Sequence, residues 1–178
     1  MPRSILLYDP YLGEPGGGQK VTITAAEILS RTYAVALAYP AKSDPARWTE
    51  WYGKDLSRVR LHPVRSPQRE VLELSRGFEL FFNMHNAYWI GGGAKTNWLY
   101  CQWPISPYRE INVRLWIQRR LRIPLPMTRN WVVPLPIRRP NFLIDYSRVF
   151  CNSTFSQRWT LRRLHVAAQI LPGVGGNL

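Results

Sequence analysis

The fold of this chain is decided by residues 4–39, which read SILLYDPYLGEPGGGQKVTITAAEILSRTYAVALAY. Residues 4–9 form a short apolar run that ends before Pro10, and such a run is typical of a buried strand. Residues 10–18 contain two Pro and four Gly and predict a loop. Residues 19–31 place their apolar side chains on one broad helical face, and residues 33–39 form a second apolar strand. A strand, a loop, a helix and a strand in this order predict a βαβ unit and a parallel sheet.

The alternation of strands and helices continues along most of the chain. Strands that are apolar on both faces need helices on both sides of the sheet. The sequence therefore predicts a doubly wound, Rossmann-like α/β domain with a mainly parallel sheet over residues 1–172. Further strands are predicted at residues 59–64, 78–84, 97–103, 148–152 and 167–171, and further helices at residues 45–52, 68–76 and 154–164.

Residues 105–140 interrupt this alternation with a basic segment. The segment contains eight Arg and six Pro but one acidic residue, Glu110. Residues 108–122 predict an amphipathic helix, and the prolines between residues 124 and 136 predict an extended chain. The alternatives for the segment are contact with an anionic membrane or a partner, and packing on the domain with solvated charges. The contact residues predicted by the first alternative are Arg114, Trp116, Arg119, Arg120, Arg122 and Trp131.

The charge of the chain indicates an anionic partner. It has 24 Lys and Arg against 11 Asp and Glu, and its formal net charge is +13. Nucleic acid, anionic lipid and a phosphorylated substrate all satisfy this balance. The eight Trp and nine Tyr suit a membrane interface and also stacking on bases. Nucleic acid is disfavoured because no nucleic-acid-binding motif is present and the basic residues concentrate in residues 105–140.

The cysteines and the N-terminus give no sign of an extracellular protein. Cys101 and Cys151 each lie in an apolar strand, which favours two buried free thiols over a disulfide or a metal pair. The three His are scattered and no CxxC is present, so no metal site is predicted. The first apolar run is too short for a signal peptide, and no run reaches the roughly 18 residues of a spanning helix. The sequence predicts a cytoplasmic protein whose membrane contact, if any, is peripheral on the inner face.

Gly16, Gly17 and Gly18 lie between the first strand and the first helix. In open α/β sheets this position is at the carboxyl edge, where ligands bind. Glycine lets the backbone approach a ligand closely, and a helix N-terminus favours anionic groups. The spacing matches neither GxGxxG nor GxxxxGK[ST], so a flexible turn is an equal alternative. The second glycine run, Gly91–Gly93, is better explained as a connector before a strand than as a phosphate-binding loop.

Five patterns follow one another along the chain. They are the glycine-rich DPYLGEPGGGQKV (residues 9–21), VRLHPV (59–64), LYCQWP (99–104), YSRVFCNSTFS (146–156) and AQILPGV (168–174). In this order they resemble the N-terminal half of family 4 retaining glycosyltransferases with the two-domain B fold. The likeness covers nearly the whole chain and is closest to the branch that includes lipid-linked oligosaccharide mannosyltransferases.

This resemblance implies a retaining transfer of a sugar from a nucleotide-sugar co-substrate to an acceptor hydroxyl, without a metal or another cofactor. The chain would be the acceptor-side half, and residues 173–178 would begin the linker to a donor-binding domain that this sequence lacks. We therefore expect the chain alone to be inactive or nearly so. The resemblance implies donor or acceptor contacts at Gly16, Gly17, Gly18, Gln19, Lys20, His85, Asn86, Gln102, Asn152 and Ser153.

Some of these positions have a second interpretation. Gln102 stands where the branch usually has His, and an amide cannot accept a proton. His85 also suits a structural role with a hydrogen bond to the backbone. Ser153 or Thr154 is predicted to cap the last helix. The Arg residues of that helix fit a solvated face better than a phosphate site. The alternative function is a non-catalytic scaffold subunit in a larger or membrane-associated complex, and a partner chain could also supply the donor domain.

Overall fold

The computed structural model describes residues 3–84, 90–102, 108–112, 132–136, 146–164 and 166–171. The strands within these residues are β1 (Ser4–Tyr8), β2 (Ala34–Pro40), β3 (Arg60–Val64), β4 (Leu80–Asn83), β5 (Thr96–Cys101), β6 (Tyr108–Asn112), β7 (Val132–Pro136), β8 (Arg148–Cys151) and β9 (Gln169–Ile170). The helices are α1 (Gly17–Ser30), α2 (Ala46–Tyr52), α3 (Pro67–Ser75) and α4 (Thr154–Leu164).

Seven of the described strands form one sheet in the order β3-β2-β1-β4-β5-β8-β9, and every neighbouring pair is parallel. From β1 the chain winds outward through β2 and β3, and then returns to place β4 on the other side of β1. Crossovers between parallel strands are right-handed, so winding in two directions puts helices on both faces. The predicted doubly wound α/β class is confirmed.

The central strand β1 is covered on both faces. Leu6 and Leu7 are consecutive residues, and both are fully buried. Consecutive side chains of a strand point to opposite faces, so neither face of β1 meets solvent. This explains why the strand reads as an unbroken apolar run rather than an alternating one.

The core on one face of the sheet is closed by α1 and α2. Ile23 of α1 and Trp48 of α2 are both fully buried and belong to one apolar cluster with Leu7 and Leu37. The Trp48 ring meets Tyr39 edge to face at 4.8 Å between centroids. Its Nε1 donates a hydrogen bond of 2.8 Å to the Leu12 carbonyl, so α2 also fixes the segment that follows β1.

A buried polar contact joins the end of β1 to α1. Asp9 follows β1 directly and is fully buried. Its Oδ2 accepts a hydrogen bond of 2.7 Å from the Thr22 hydroxyl, and its Oδ1 accepts one of 2.9 Å from the Tyr11 N–H. A buried carboxylate needs such partners, because losing water without replacing its hydrogen bonds is costly. Asp9 thereby fixes both the turn after β1 and the first turns of α1.

Cys101 and Cys151 are free and buried, as the sequence predicted. They are register partners at the carboxyl ends of β5 and β8. Burial, and then the neighbouring Cys151, raise the pKa of the Cys101 thiol to about 12. Burial also raises the pKa of the Cys151 thiol. Both cysteines therefore act as small apolar side chains of the core.

The prediction of a helix from residue 108 is wrong for residues 108–112. These residues form β6, which pairs antiparallel with β7. Pro134 and Pro136 hold β7 in an extended form, which agrees with the predicted extended chain, and an extended neighbour offers β6 a partner that local periodicity cannot reveal. Residues Ile105–Pro140 form a compact unit separate from Met1–Pro104 and Asn141–Leu178. The predicted contact residues Arg114, Trp116, Arg119, Arg120, Arg122 and Trp131 lie outside the described residues.

The described residues contain neither a membrane-spanning helix nor a cluster of metal ligands. No helix there is both long and apolar enough to cross a bilayer. In the same residues, no three His, Cys, Asp or Glu side chains come together as a metal site.

The contact between Asp9 and Thr22 can be tested with a matched pair of substitutions in α1. Thr24 is also buried, but its hydroxyl has no hydrogen-bond partner among the described residues. We expect Thr22→Val to lower the free energy of unfolding by about 1–3 kcal/mol, because it removes a donor to a buried carboxylate. Thr24→Val should leave it unchanged or raise it. Urea denaturation of the two variants measures the difference, and equal losses would refute the role assigned to Asp9.

The burial of the cysteines predicts slow alkylation in the folded chain. Because the pKa of Cys101 is about 12 instead of 9.0, the reactive thiolate is about 1000-fold scarcer at mildly alkaline pH. We expect iodoacetamide to modify both thiols slowly in the native protein and at the free-cysteine rate in guanidinium. Mass spectrometry over time measures both rates. Rapid native labelling of Cys101 would contradict its place in the core.

Candidate binding site at the carboxyl edge of the sheet

The sheet reverses its winding between β1 and β4, and the crevice at such a reversal is where open α/β folds bind ligands. The two strands are parallel neighbours, with Tyr8 in register with Asn83. Asp9 follows one strand and Met84 the other, and the Met84 N–H donates a hydrogen bond of 2.8 Å to the Tyr8 carbonyl. The segment that contains Gly16, Gly17 and Gly18 begins at this edge.

The predicted loop is shorter than expected, because α1 begins at Gly17. Gly16 is the N-cap, in an extended conformation, and the Lys20 N–H makes a 3.0 Å hydrogen bond to the Gly16 carbonyl. The prediction that Gly17 and Gly18 belong to a loop is therefore wrong. The packing of α1 on the core supports the helix through its first turn, where two glycines cost some stability but do not prevent helix formation.

The first turn of α1 presents backbone donors. In any α-helix the first N–H groups have no partner within the helix, and here no side chain of the N-cap satisfies them. The turn contains no acidic residue, and Lys20 is exposed within it. A Cβ at Gly17 would have no neighbour within 4 Å, so the backbone is open on that side. An anionic group can approach this turn closely and is favoured there by the helix dipole.

Three side chains hold this turn in place: Tyr52 from α2, Asp9 from the end of β1 and Thr22 from α1 itself. The Tyr52 hydroxyl of α2 accepts a hydrogen bond of 3.0 Å from the Gly16 N–H. Burial is the largest cause that raises the pKa of Tyr52. Asp9 and Thr22 connect the same region to β1 through their hydrogen bond. The sequence pattern did not identify Asp9, Thr22 or Tyr52, although an Asp directly after an apolar strand was a usable signal for the first.

Gln102 lies directly after β5 and is 6% exposed. Its Nε2 donates to the Met84 carbonyl at 3.0 Å and to the Gly18 carbonyl at 3.4 Å. One amide group therefore connects the end of β4 to the first turn of α1. A side-chain NH₂ has two hydrogens and can make both contacts at once, whereas an imidazole nitrogen has one. Gln102 is brought to the predicted site, and both of these contacts are to the main chain.

An open cleft of about 510 Å³ lies beside the glycine turn, and Gln19 contributes to its wall. The other lining residues come from the segment after β1, from the last residue of β2 and from the segment that follows it; they are Pro10, Tyr11, Gly13, Glu14, Pro15, Pro40 and Lys42. A larger cleft of about 640 Å³ is lined by α2 and the segment before β3. We favour the smaller one because its wall includes Gln19 of the first turn of α1 and residues that directly follow β1.

Asn152 and Ser153 lie at the same edge but farther along the sheet. They follow β8, which is separated from β1 by β4 and β5. At roughly 4.8 Å between neighbouring strands, this places them about 14 Å from the end of β1. The Ser153 hydroxyl accepts a hydrogen bond of 3.2 Å from the Ser156 N–H, which confirms that it caps α4. The Ser156 hydroxyl donates to Asn152 Oδ1 at 2.9 Å.

The remaining predicted positions divide into two groups. His85 and Asn86 lie outside the described residues, so their role stays a prediction. The connector interpretation of Gly91–Gly93 agrees with the structure. The Gly93 N–H donates to the Ser75 hydroxyl at 2.7 Å, and a Cβ at Gly92 would collide with Phe81 and Asn97. Because Ser75 ends α3 ahead of β4, this run lies at the amino edge, away from the candidate site.

Comparison by sequence finds no match, either to a protein-family model or to a curated protein. Comparison of structures finds HepE (Alr3699) from Anabaena, solved in complex with UDP and glucose, at a TM-score of 0.60 and 14% identity. The alignment covers 96% of this chain and 44% of that chain. HepE in complex with UDP-glucose matches at a TM-score of 0.56 and 13% identity, over 96% of this chain and 43% of that chain.

The present chain thus spans less than half the length of the solved structures it matches. At such low identity the likeness establishes the fold and leaves the activity open. It agrees with the fold that the sequence resemblance implied. The described residues of the chain have a Rossmann-like α/β fold, and the part of HepE that matches it is less than half of that protein.

Proposed function

We propose that this chain is the acceptor-side domain of a sugar-nucleotide-dependent glycosyltransferase, which transfers a sugar once a donor-binding domain completes the site. The observation that carries the proposal is the open first turn of α1 at the reversal of winding, with Gly17 and Gly18 at its start. HepE, which shares the fold, was solved with UDP-glucose. Its ligand is the chemical class that a backbone anion site accepts.

In the proposed reaction, the bond between the sugar C1 and the donor diphosphate breaks and a bond from C1 to the acceptor oxygen forms. Negative charge develops on the departing diphosphate, and an oxygen of this leaving group takes the proton of the acceptor hydroxyl. The N–H groups of the first turn of α1 oppose that charge without having to reorganise, because α1 is fixed by Asp9 through Thr22. The donor-binding domain would supply the further cationic groups that the diphosphate needs.

The identity of the acceptor is a finer part of the proposal. The sequence resemblance favours a lipid-linked acceptor at a membrane surface. The basic segment at residues 105–140 would then lie against anionic lipid, and the contact residues predicted for it stay a prediction. A partner chain that supplies the donor domain would satisfy the same scheme.

A second candidate is a non-catalytic scaffold subunit with a glycosyltransferase-like fold. The observation that favours it is Gln102, which replaces the usual His with a group that cannot move a proton at neutral pH and donates to two backbone carbonyls. On this hypothesis the residue holds the edge of the sheet together, and the crevice no longer serves a reaction.

Gly17 provides a direct test, because a side chain there points into open space. Gly17→Asp should keep the fold and slightly stabilise α1, since an acidic residue suits a helix N-terminus. It should also weaken UDP-glucose binding about fivefold or more, because it puts a carboxylate where the diphosphate would lie. The isosteric and neutral Gly17→Asn is the matched control. Titrations followed by ¹H–¹⁵N spectra detect even weak binding through the amides of residues 17–19.

The spectra also separate the two candidate functions. The anion site is supported if UDP-glucose shifts the amide signals of residues 17–19 in the wild type and in Gly17→Asn but not in Gly17→Asp. Shifts confined to the cleft beside α2 would contradict it. Unchanged spectra, even with a donor-binding domain added, would favour the scaffold.

A further inference from the structure

The helix α4 presents the wrong side chains to solvent for an ordinary surface helix. Its buried face carries Ser156 and Thr160, which are 3% and 1% exposed. Its exposed side chains include Phe155 and Leu161, which are 69% and 55% exposed. A surface helix normally buries its large apolar residues and exposes its polar ones. In α4 these roles are exchanged for four residues, because Ser156 and Thr160 are buried while Phe155 and Leu161 are exposed.

Local hydrogen bonds explain how the core tolerates the polar face of α4. The Thr160 hydroxyl donates to the Ser156 carbonyl at 2.7 Å, and the Ser156 hydroxyl is bonded to Asn152. These small side chains are therefore satisfied where they are buried. These hydrogen bonds explain the polar inner face of α4. The exposed apolar side chains of its outer face have no such explanation.

The outer face of α4 combines apolar and basic residues in neighbouring stripes. Phe155 and Trp159 are four residues apart and share one stripe, and Arg158 and Arg162 share the next. Both Arg are exposed and Trp159 is half-buried. The sequence of α4 contains three Arg and no acidic residue. Among the described residues the ion pairs are Lys54 with Glu27 and Arg69 with Glu73, and neither includes α4.

We propose that the outer face of α4, defined by Phe155, Arg158, Leu161 and Arg162, docks on an anionic lipid bilayer. Two features favour a bilayer. The uncompensated Arg pair is complementary to lipid phosphates, and the bulky apolar side chains beside it insert at the level of the headgroups. The headgroup region of a bilayer is favourable for both the Arg and the apolar side chains of this exposed helix face, whereas water is favourable for the Arg alone. This surface consists of residues other than those of the basic segment at residues 105–140, and its docking does not depend on sugar transfer.

The experiment is co-sedimentation of the full chain with vesicles at physiological salt. The vesicles contain either phosphatidylcholine alone or equal parts of phosphatidylcholine and phosphatidylglycerol. We expect binding to the anionic vesicles, and we expect Arg158→Gln/Arg162→Gln to reduce the partition coefficient about tenfold or more. Arg31→Gln/Arg58→Gln removes the same charge from exposed sites elsewhere and should reduce it far less. This control separates docking through α4 from the general attraction of a chain with a charge of +13.

The apolar half of the surface has its own control. Phe155→Ala/Leu161→Ala should also weaken binding to anionic vesicles about tenfold, because two inserted side chains are lost. Ile28→Ala, at a side chain of α1 that is 49% exposed, should have no effect. Thermal unfolding should be similar for all of these variants, since the substituted side chains are exposed. Gly17→Asp should bind vesicles like the wild type, so failure of this proposal and failure of the nucleotide-sugar proposal can be told apart.

Three results would overturn the proposal. The first is a lack of binding to anionic vesicles. The second is an equal loss in the α4 variants and the Arg31/Arg58 control, which would assign binding to overall charge. The third concerns the α4 variants. If they bound vesicles like the wild type but lost the retention of the wild type on immobilised polyglutamate, α4 would be assigned to an acidic protein partner.

Discussion

Burial of β1 on both faces is the constraint on which the rest of the structure depends. A central parallel strand pairs through its backbone with β2 on one side and β4 on the other. Its side chains must then satisfy two apolar layers at once, as Leu6 and Leu7 do. The segment with the three glycines follows β1 in the sequence. It therefore begins at the carboxyl end of that strand, which is the edge of the sheet where the winding reverses. The position of the candidate site is thus a consequence of the core.

Buried polar groups convert that position into a defined geometry. Asp9, Tyr52 and Gln102 come from three different parts of the chain and meet around Gly16 and the first turn of α1. Each hydrogen bond contributes a modest net stability, but leaving one of these buried groups without a partner costs more. The backbone donors of the helix are consequently held in one arrangement before any ligand arrives. An anion-binding turn benefits from this, because the donors need no reordering on binding.

The first turn of α1 and the outer face of α4 depend on the fold in different ways. The turn is open because glycine leaves space at the reversal of winding. The outer face of α4 is unusual because Ser156 and Thr160 are buried, whereas the larger apolar side chains of Phe155 and Leu161 are exposed. If both proposals hold, the domain has one end for an anionic ligand and a separate helix for a lipid surface. A lipid-linked acceptor would then be presented by the surface on which the domain rests.

The sequence by itself determined the order of the elements that form the seven-stranded sheet and its helices, and much of their chemistry. Apolar runs identified β1 and β2, the NST pattern identified the cap of α4, and the apolar context of Cys101 and Cys151 identified them as core thiols. These features are local, because the spacing of apolar residues along a short stretch of sequence indicates which of its side chains are buried. The tertiary structure decided what depends on distant partners. It made residues 108–112 a strand by pairing them with residues 132–136, and it drew Gly17 and Gly18 into α1 through packing. It also paired Gln102 with Gly18, 84 residues away, because a buried amide takes the partners that the fold brings to it and local sequence does not specify them.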